Sequence, residues 1–377
     1  MEVLIMNYMI FEKLNEVLNY LEDEESKMII MQRFLYNVSQ DTRYIFDIIK
    51  HSNYFSLDEV GDKYREMIKK YKIYINIDLL SFVSDNKYKE PKIVVFGCGE
   101  VAGNVTNLLN SAGVSIDYYC DNHRTDKVFL DREIITFQEL LSIDQEVLVI
   151  IATTLFKDEI YTQLINAGVQ KEKIYYPEDN MFLSFFGEPY FDKNILSPSG
   201  HEIFVDGGCY GGETALDFAK WCPDYDKIYA FEPDQENYIK SKNFIVANGI
   251  RDIDLFNSGL WSGSDSLKMT HAGDFGTGSF IGDQGDQSIN VISLDQVLNG
   301  DPVTFIKLDI EGSELEALKG AKNSICRYKP KLAICIYHKP EDIIEIPLYI
   351  KSLVGEYKFK VRHYTSYLYD TILYCWI

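Results

Sequence analysis

The chain has 377 residues, 46% hydrophobic and 25% charged, a globular composition long enough for two or three domains. Its 58 Asp+Glu against 37 Lys+Arg give a formal net charge of -21, and no basic stripe offsets the repulsion, which excludes a nucleic-acid backbone as partner. No apolar run reaches the length of a bilayer span and the N-terminus has no basic leader region, so a cytoplasmic protein is expected.

Residues 1–88 read as a helical N-terminal segment. Phe11, Leu14, Leu18 and Leu21 recur at helical spacing with charged residues between them. A second helix is expected over Asp41–His51 and a third from Ser56 to about Tyr71, where Ser56 is the N-cap. The segment carries no chemical constellation. Packing is its expected role, with docking, a substrate lid or homo-oligomerisation as alternatives.

Residues 89–178 alternate strand and helix. Strands are expected at Lys92–Phe96, Ile116–Asp121 and Val147–Ala152, with helices through Leu109, over Phe137–Leu141 and over Lys157–Asn166. The pattern is a small Rossmann-like α/β domain. Gly97, Gly99 and Gly103 follow its first strand as G-x-G-x-x-x-G, one residue longer than the dinucleotide fingerprint, and Asp121 ends the next strand.

Residues 179–200, with Pro189, Pro198 and Gly200, read as a linker. Residues 201–377 hold seven strand candidates: Glu202–Asp206, Lys227–Glu232, Ile253–Asn257, Val303–Asp309, Lys331–Tyr337, Lys358–His363 and Thr371–Trp376. The last two are expected to pair antiparallel. The seven cysteines form no C-x-x-C pair, and several lie in such apolar runs, so they read as buried thiols of a reducing compartment.

Three of these strands end in carboxylates. In an open α/β sheet the strand carboxyl ends line the ligand crevice. Asp206-x-Gly208-x-x-x-Gly212 closes the first strand and opens a helix. Gly208 lets the backbone approach a ligand, Gly212 lets the helix sit on the sheet, and the free N–H groups at that helix start favour a carboxylate. Glu232 ends the next strand, 232 − 206 = 26 residues on, near the offset of a ribose-binding acid, and Pro233 would lie against a base. Carboxylates beside a glycine turn suit a ligand with ribose hydroxyls and a cationic centre. S-adenosyl-L-methionine has both, and its amino group would stand near Asp206. Asp309 ends the fourth strand, where it would orient an acceptor hydroxyl or bind a divalent ion. Glu311 is either a participant there or the N-terminal acid of the next helix. His338 follows the fifth strand. It is a candidate base for a sugar hydroxyl, with capping and metal ligation as alternatives. No metal site is assigned.

The strings Phe204–Thr214, Tyr229-Ala230-Phe231-Glu232-Pro233, Ile292-Ser293-Leu294-Asp295, Ile306–Leu315, Tyr337–Asp342 and Arg362-His363-Tyr364 resemble the FkbM family of class I methyltransferases, over roughly residues 200–377. The resemblance implies a seven-stranded Rossmann-like methyltransferase sheet and O-methylation, often of sugars or polyketide-like hydroxyls. It carries the family's binding roles onto Asp206, Gly208, Gly212, Glu232 and Asp309. Where the family usually has Ala-Asn, this chain has Cys209-Tyr210, so the Tyr210 hydroxyl is the candidate to replace the asparagine's contact. Residues 91–177 are similar to the small nucleotide-binding domains that precede sugar-modifying transferases in bacterial glycan pathways. That similarity implies a nucleotide-sugar at Gly97, Gly99, Gly103 and Asp121, or a vestigial sheet without ligand.

The expected function is S-adenosylmethionine-dependent O-methylation of a sugar hydroxyl on a glycan or nucleotide-sugar. The alternatives are an NAD(P)-dependent oxidoreductase or nucleotide-sugar-binding protein using the Gly97–Gly103 turn, and a non-catalytic scaffold. The oxidoreductase lacks a Tyr-x-x-x-Lys or Cys/His arrangement, and the three intact strand-end acids speak against the scaffold.

Overall fold

The computed structural model describes residues 2–39, 43–51, 77–86, 90–111, 113–124, 127–153, 156–177, 188–270, 280–281, 287–365 and 369–377. The chain divides into two units, one of residues 35–187 with 364–368, the other of residues 1–34, 188–363 and 369–377. The helical stretch 1–88 is therefore shared between them. The helix expected from Ser56 to Tyr71 lies outside the described residues.

In the first unit the strands are β1 (Lys92–Phe96), β2 (Tyr118–Cys120), β3 (Val128–Phe129), β4 (Arg132–Ile135), β5 (Val147–Ile151) and β6 (Ile174–Tyr175). They lie in the order β3-β4-β2-β1-β5-β6. All pairs are parallel except β3 with β4. Successive side chains of a strand point to opposite faces. Ile93 and Val95 of β1 pack with Leu79, Val83, Ala102 and Leu109 of helices Ile77–Asn86 and Glu100–Ser111. Val94 and Phe96 pack with Leu140, Ile160 and Leu164 of helices Phe137–Leu141 and Lys157–Asn166. The result is the three-layer sheet expected from the alternation. The β3–β4 hairpin and β6 were not anticipated, because strands of two to four residues are too short to show a period.

The second unit contains β7 (Ile203–Gly207), β8 (Lys227–Phe231), β9 (Ile253–Phe256), β10 (Gly259–Leu260), β11 (Asp265–Thr270), β12 (Phe280–Ile281), β13 (Gln287–Ile292), β14 (Phe305–Leu308), β15 (Lys331–Cys335), β16 (Lys358–His363) and β17 (Thr371–Trp376). Seven of them form one sheet in the order β16-β17-β15-β14-β7-β8-β9, and β17 runs antiparallel to both its neighbours. All seven expected strands are in this sheet. Strand order reverses between β7 and β14, so the crevice of this sheet opens at their carboxyl ends. A second sheet, β10-β13-β11-β12, is an insertion that the sequence reading did not resolve.

The core of this unit is aromatic. Phe204 of β7 stacks on Phe218 at a centroid distance of 4.2 Å. Phe191 lies 5.8 Å from Phe204, 5.9 Å from Phe305 and 5.8 Å from Trp221. Residues read as linker thus supply core: Phe191 and Leu196 are both buried. The first helix belongs here as well. Leu14, Val17 and Leu21 are buried, Glu22 N–H donates to Phe359 O at 3.0 Å, and Asp23 pairs with Arg362 at 2.7 Å. Burial opposes the charge of Asp23, but the hydrogen bonds from Arg362 and Ser26 outweigh burial and hold its carboxyl well below the usual carboxylate range. Six of the seven cysteines are buried, all seven as free thiols. No helix among the described residues is long and apolar enough to cross a membrane.

Candidate active site

Asp206 is the fourth residue of β7, level with Lys307 of β14 in the ladder. Both side chains are buried, and they pair at 3.0 Å. Burial alone would favour a neutral amine, but the charges of Asp206 and Asp309 and the hydrogen bond to Asp206 hold Lys307 as an ammonium. Its Nζ also donates to the carbonyls of Gly207 at 3.0 Å and Gly208 at 2.6 Å. One lysine therefore fastens the whole turn after β7. Gly208 has φ +77°, and a Cβ there would stand 1.9 Å from the carbonyl oxygen of Asp309. Only glycine lets these two strand ends approach so closely. Asp206 Oδ2 is buried and makes no hydrogen bond among the described residues.

Gly212, at φ +92°, is the N-cap of helix Glu213–Trp221 and offers no side-chain cap. The N–H groups that start the helix are thus left for other acceptors. Glu232 follows β8 and is buried. Its Oε2 accepts the Tyr210 N–H at 3.0 Å and its Oε1 accepts the Asp234 N–H at 2.9 Å. Burial pushes its carboxyl up to about 7, although those two N–H groups pull the other way. Asn257 Nδ2 donates to the carbonyls of Glu232 at 3.0 Å and Pro233 at 3.2 Å, and Asp234 caps helix Gln235–Ala247 by accepting the Asn237 N–H. Glu232 and Pro233 therefore sit on a fixed strand-to-helix turn. Tyr210 has φ +46° and is 40% exposed; its carbonyl accepts the Ser241 hydroxyl.

Asp309 and His338 follow adjacent strands, β14 and β15. Tyr190 donates its hydroxyl to Asp309 Oδ2 at 2.7 Å, and Tyr337 donates to Oδ1 at 3.1 Å. Burial alone would raise the Asp309 carboxyl, but Lys307, His338 and the Tyr190 hydroxyl outweigh it and lower it. His338 Nε2 lies 3.4 Å from Asp309 Oδ1 and 3.4 Å from Glu311 Oε2, and its Nδ1 lies 3.0 Å from Glu314 Oε1. Burial disfavours charge on His338, but these three carboxylates raise it to about 9, with Glu314 first.

The sequence-derived residues fall into three groups. Asp206, Gly208, Tyr210, Gly212, Glu232 and Pro233 surround the turn after β7. Asp309 and His338 meet at the neighbouring strand ends. Gly97, Gly99, Gly103 and Asp121 lie in the other unit. There Gly97, at φ +113°, leaves only 2.8 Å between a would-be Cβ and Ala152 O, while nothing stands within 4 Å of Gly99. Gly103 is on helix Glu100–Ser111, and its N–H donates to Gly99 O. Asp121 accepts the N–H groups of Cys98 (3.0 Å), His123 (2.9 Å) and Arg124 (3.0 Å). This carboxylate thereby braces the glycine turn. Three residues escaped the sequence reading: Lys307, Tyr190 and Tyr337. A lysine inside the apolar run Phe305–Leu308 was a readable signal. Tyr190 gave none, since its contact with Asp309 spans 119 residues.

Residues 206–361 match the methyltransferase FkbM domain, and residues 88–175 match the C2185-like, N-terminal domain. No curated protein matches the sequence. Among solved structures, methyltransferase FkbM from Methylobacillus flagellatus KT is 20% identical, with a TM-score of 0.48 over 90% of this chain and 100% of that one. Fibrillarin from Aeropyrum pernix, with natively bound S-adenosyl-L-methionine, is 10% identical, with a TM-score of 0.31 over 48% of this chain and 69% of its own. An rRNA methylase from Streptococcus thermophilus is 17% identical, with a TM-score of 0.31 over 48% and 87%.

Proposed function

We propose that the FkbM methyltransferase domain carried by residues 206–361 uses S-adenosyl-L-methionine to methylate a sugar hydroxyl, on a glycan or a nucleotide-sugar. The observation that supports this most is Glu232: a buried carboxylate whose two oxygens are each held by a backbone N–H, beside a glycine turn and an uncapped helix start. A carboxylate so fixed keeps lone pairs for two ribose hydroxyls, in charge-assisted bonds. The helix start would take the carboxylate of the methionine tail. Pro233 would lie against the adenine.

S-adenosyl-L-methionine supplies an already activated methyl group, so the protein's main work is alignment of the acceptor oxygen. Asp309, oriented by Tyr190 and Tyr337, is the acidic group at the neighbouring strand end. It would hold the acceptor hydroxyl and take its proton.

The test is incubation with S-adenosyl-L-methionine and a panel of nucleotide-sugars and oligosaccharides, read by mass spectrometry. A product heavier by one methyl, formed with stoichiometric S-adenosylhomocysteine, is expected. Transfer to nitrogen or carbon acceptors alone would overturn the O-methylation reading.

Glu232 also gives a pH dependence. Its carboxyl is pushed up to about 7, and ribose binding uses the ionised form, so cofactor binding releases a proton. The affinity for S-adenosylhomocysteine is expected to fall about tenfold from pH 8 to pH 6, and Glu232→Gln should flatten the profile. Calorimetry at several pH values checks this; a flat wild-type profile contradicts it.

A further inference from the structure

The His338 side chain is only 8% exposed, yet neither ring nitrogen makes a hydrogen bond among the described residues. Three carboxylates surround it at 3.0–3.4 Å, close but out of hydrogen-bonding alignment. One of them, Glu314, is fully buried, and its Oε2 is likewise without a hydrogen-bond partner among the described residues. An unmatched carboxylate in such a place is costly unless a cation sits with it, either a protonated His338 at 3.0 Å or a metal ion that displaces that proton. The nearby lysine cannot serve, because Lys307 is committed to Asp206 and two carbonyls.

The three side chains converge. Asp309, Glu314 and His338 each bring one ligand atom to within 4.8 Å of the others. Ligand atoms around a first-row divalent ion at about 2.0–2.2 Å stand roughly 3 Å apart, so the set closes when the imidazole turns to bring one nitrogen toward both carboxylates, Glu314 now lying on Nδ1 and Asp309 on Nε2. Their placement is rigid: Asp309 ends β14, His338 follows β15, and Glu314 opens helix Glu314–Gly320 with its Oε1 on the Ile310 N–H at 2.9 Å.

We infer that Asp309, Glu314 and His338 form a binding site for a divalent first-row transition ion, with Mn2+ the best match to one imidazole and two carboxylates. Three protein ligands leave open positions on a six-coordinate ion. These would take two adjacent hydroxyl oxygens of the acceptor, which narrows the acceptor to a vicinal diol. That last step rests on the methyltransferase reading; the ion site itself does not.

The test uses full-length protein freed of metal by a chelator and titrated with Mn2+, with free ion read by electron paramagnetic resonance. One equivalent should bind. His338→Gln and Glu314→Gln should each weaken binding by at least about tenfold. Thermal melting of each variant verifies folding, and two independent variants guard against one that does not fold. No tight equivalent in wild type overturns the site. So does unchanged Mn2+ binding in folded variants, because the ion would then sit on exposed acids of this strongly acidic chain. S-adenosylhomocysteine binding is measured on the same metal-free samples. If it fails while Mn2+ binds as expected, the methyltransferase reading falls and the ion site stands.

Discussion

Asp309→Asn is expected to lower turnover by roughly 10²–10⁴-fold while changing S-adenosylhomocysteine affinity by no more than about threefold. The substitution keeps the shape and removes the charge. Tyr190 and Tyr337 currently donate to its two oxygens at 2.7 and 3.1 Å, so the carboxylate is aimed as well as charged. An amide there offers one acceptor instead of two and cannot take a proton. The same carboxylate neighbours Lys307 and His338, whose charges would lose a partner. In the proposed reaction, cofactor binding depends instead on the turn after β7 and on Glu232. Initial rates at saturating cofactor, with calorimetry on the same preparation, separate the two effects. Turnover within a few-fold of wild type would remove Asp309 from the chemistry.

Gly208→Ala is expected to destabilise the unit of residues 188–363 by roughly 2–6 kcal/mol, the sum of left-handed backbone strain and a forced overlap. The residue sits at φ +77°, and the added Cβ would be 1.9 Å from a backbone oxygen of Asp309. Neither strand end can retreat freely. Lys307 binds the carbonyls of Gly207 and Gly208 and the carboxylate of Asp206 together. Thermal melting should show one transition moved down by about 2–4 °C per kcal/mol. An unchanged melting profile would mean that the turn is not locked against β14.

The seven-stranded sheet was legible because its strands are apolar runs that stop at charged residues. Asp206, Glu232 and Asp309 each marked a strand end; Asp206 lies one residue inside its strand's end, and Glu232 and Asp309 just past theirs. Lys92–Phe96 was equally readable as an apolar strand, but not the alternation of Ile93 and Val95 with Val94 and Phe96 between two layers of helices. What escaped depends on contacts far apart in the chain. Phe191 was read as linker because nothing local says that its ring reaches Phe204, Phe218 and Phe305. The first helix, Glu2–Tyr20, carries an apolar stripe, but its partners lie more than 300 residues away: Lys13 pairs with Glu345, and Tyr20 packs edge-on against Phe359 of β16. For His338, the sequence told of a strand end but not of the three carboxylates around it, and those carboxylates set its charge.

The reading stands or falls on cofactor binding at Glu232. Calorimetry of S-adenosyl-L-methionine and S-adenosylhomocysteine against wild type and Glu232→Ala tests it most directly. Both ligands should bind wild type with one site per chain. The variant, folded by its melting profile, should bind at least about tenfold more weakly, the loss of one to two charge-assisted hydrogen bonds. Folded wild-type protein that binds neither ligand, or a variant that binds both as well as wild type, would contradict the account.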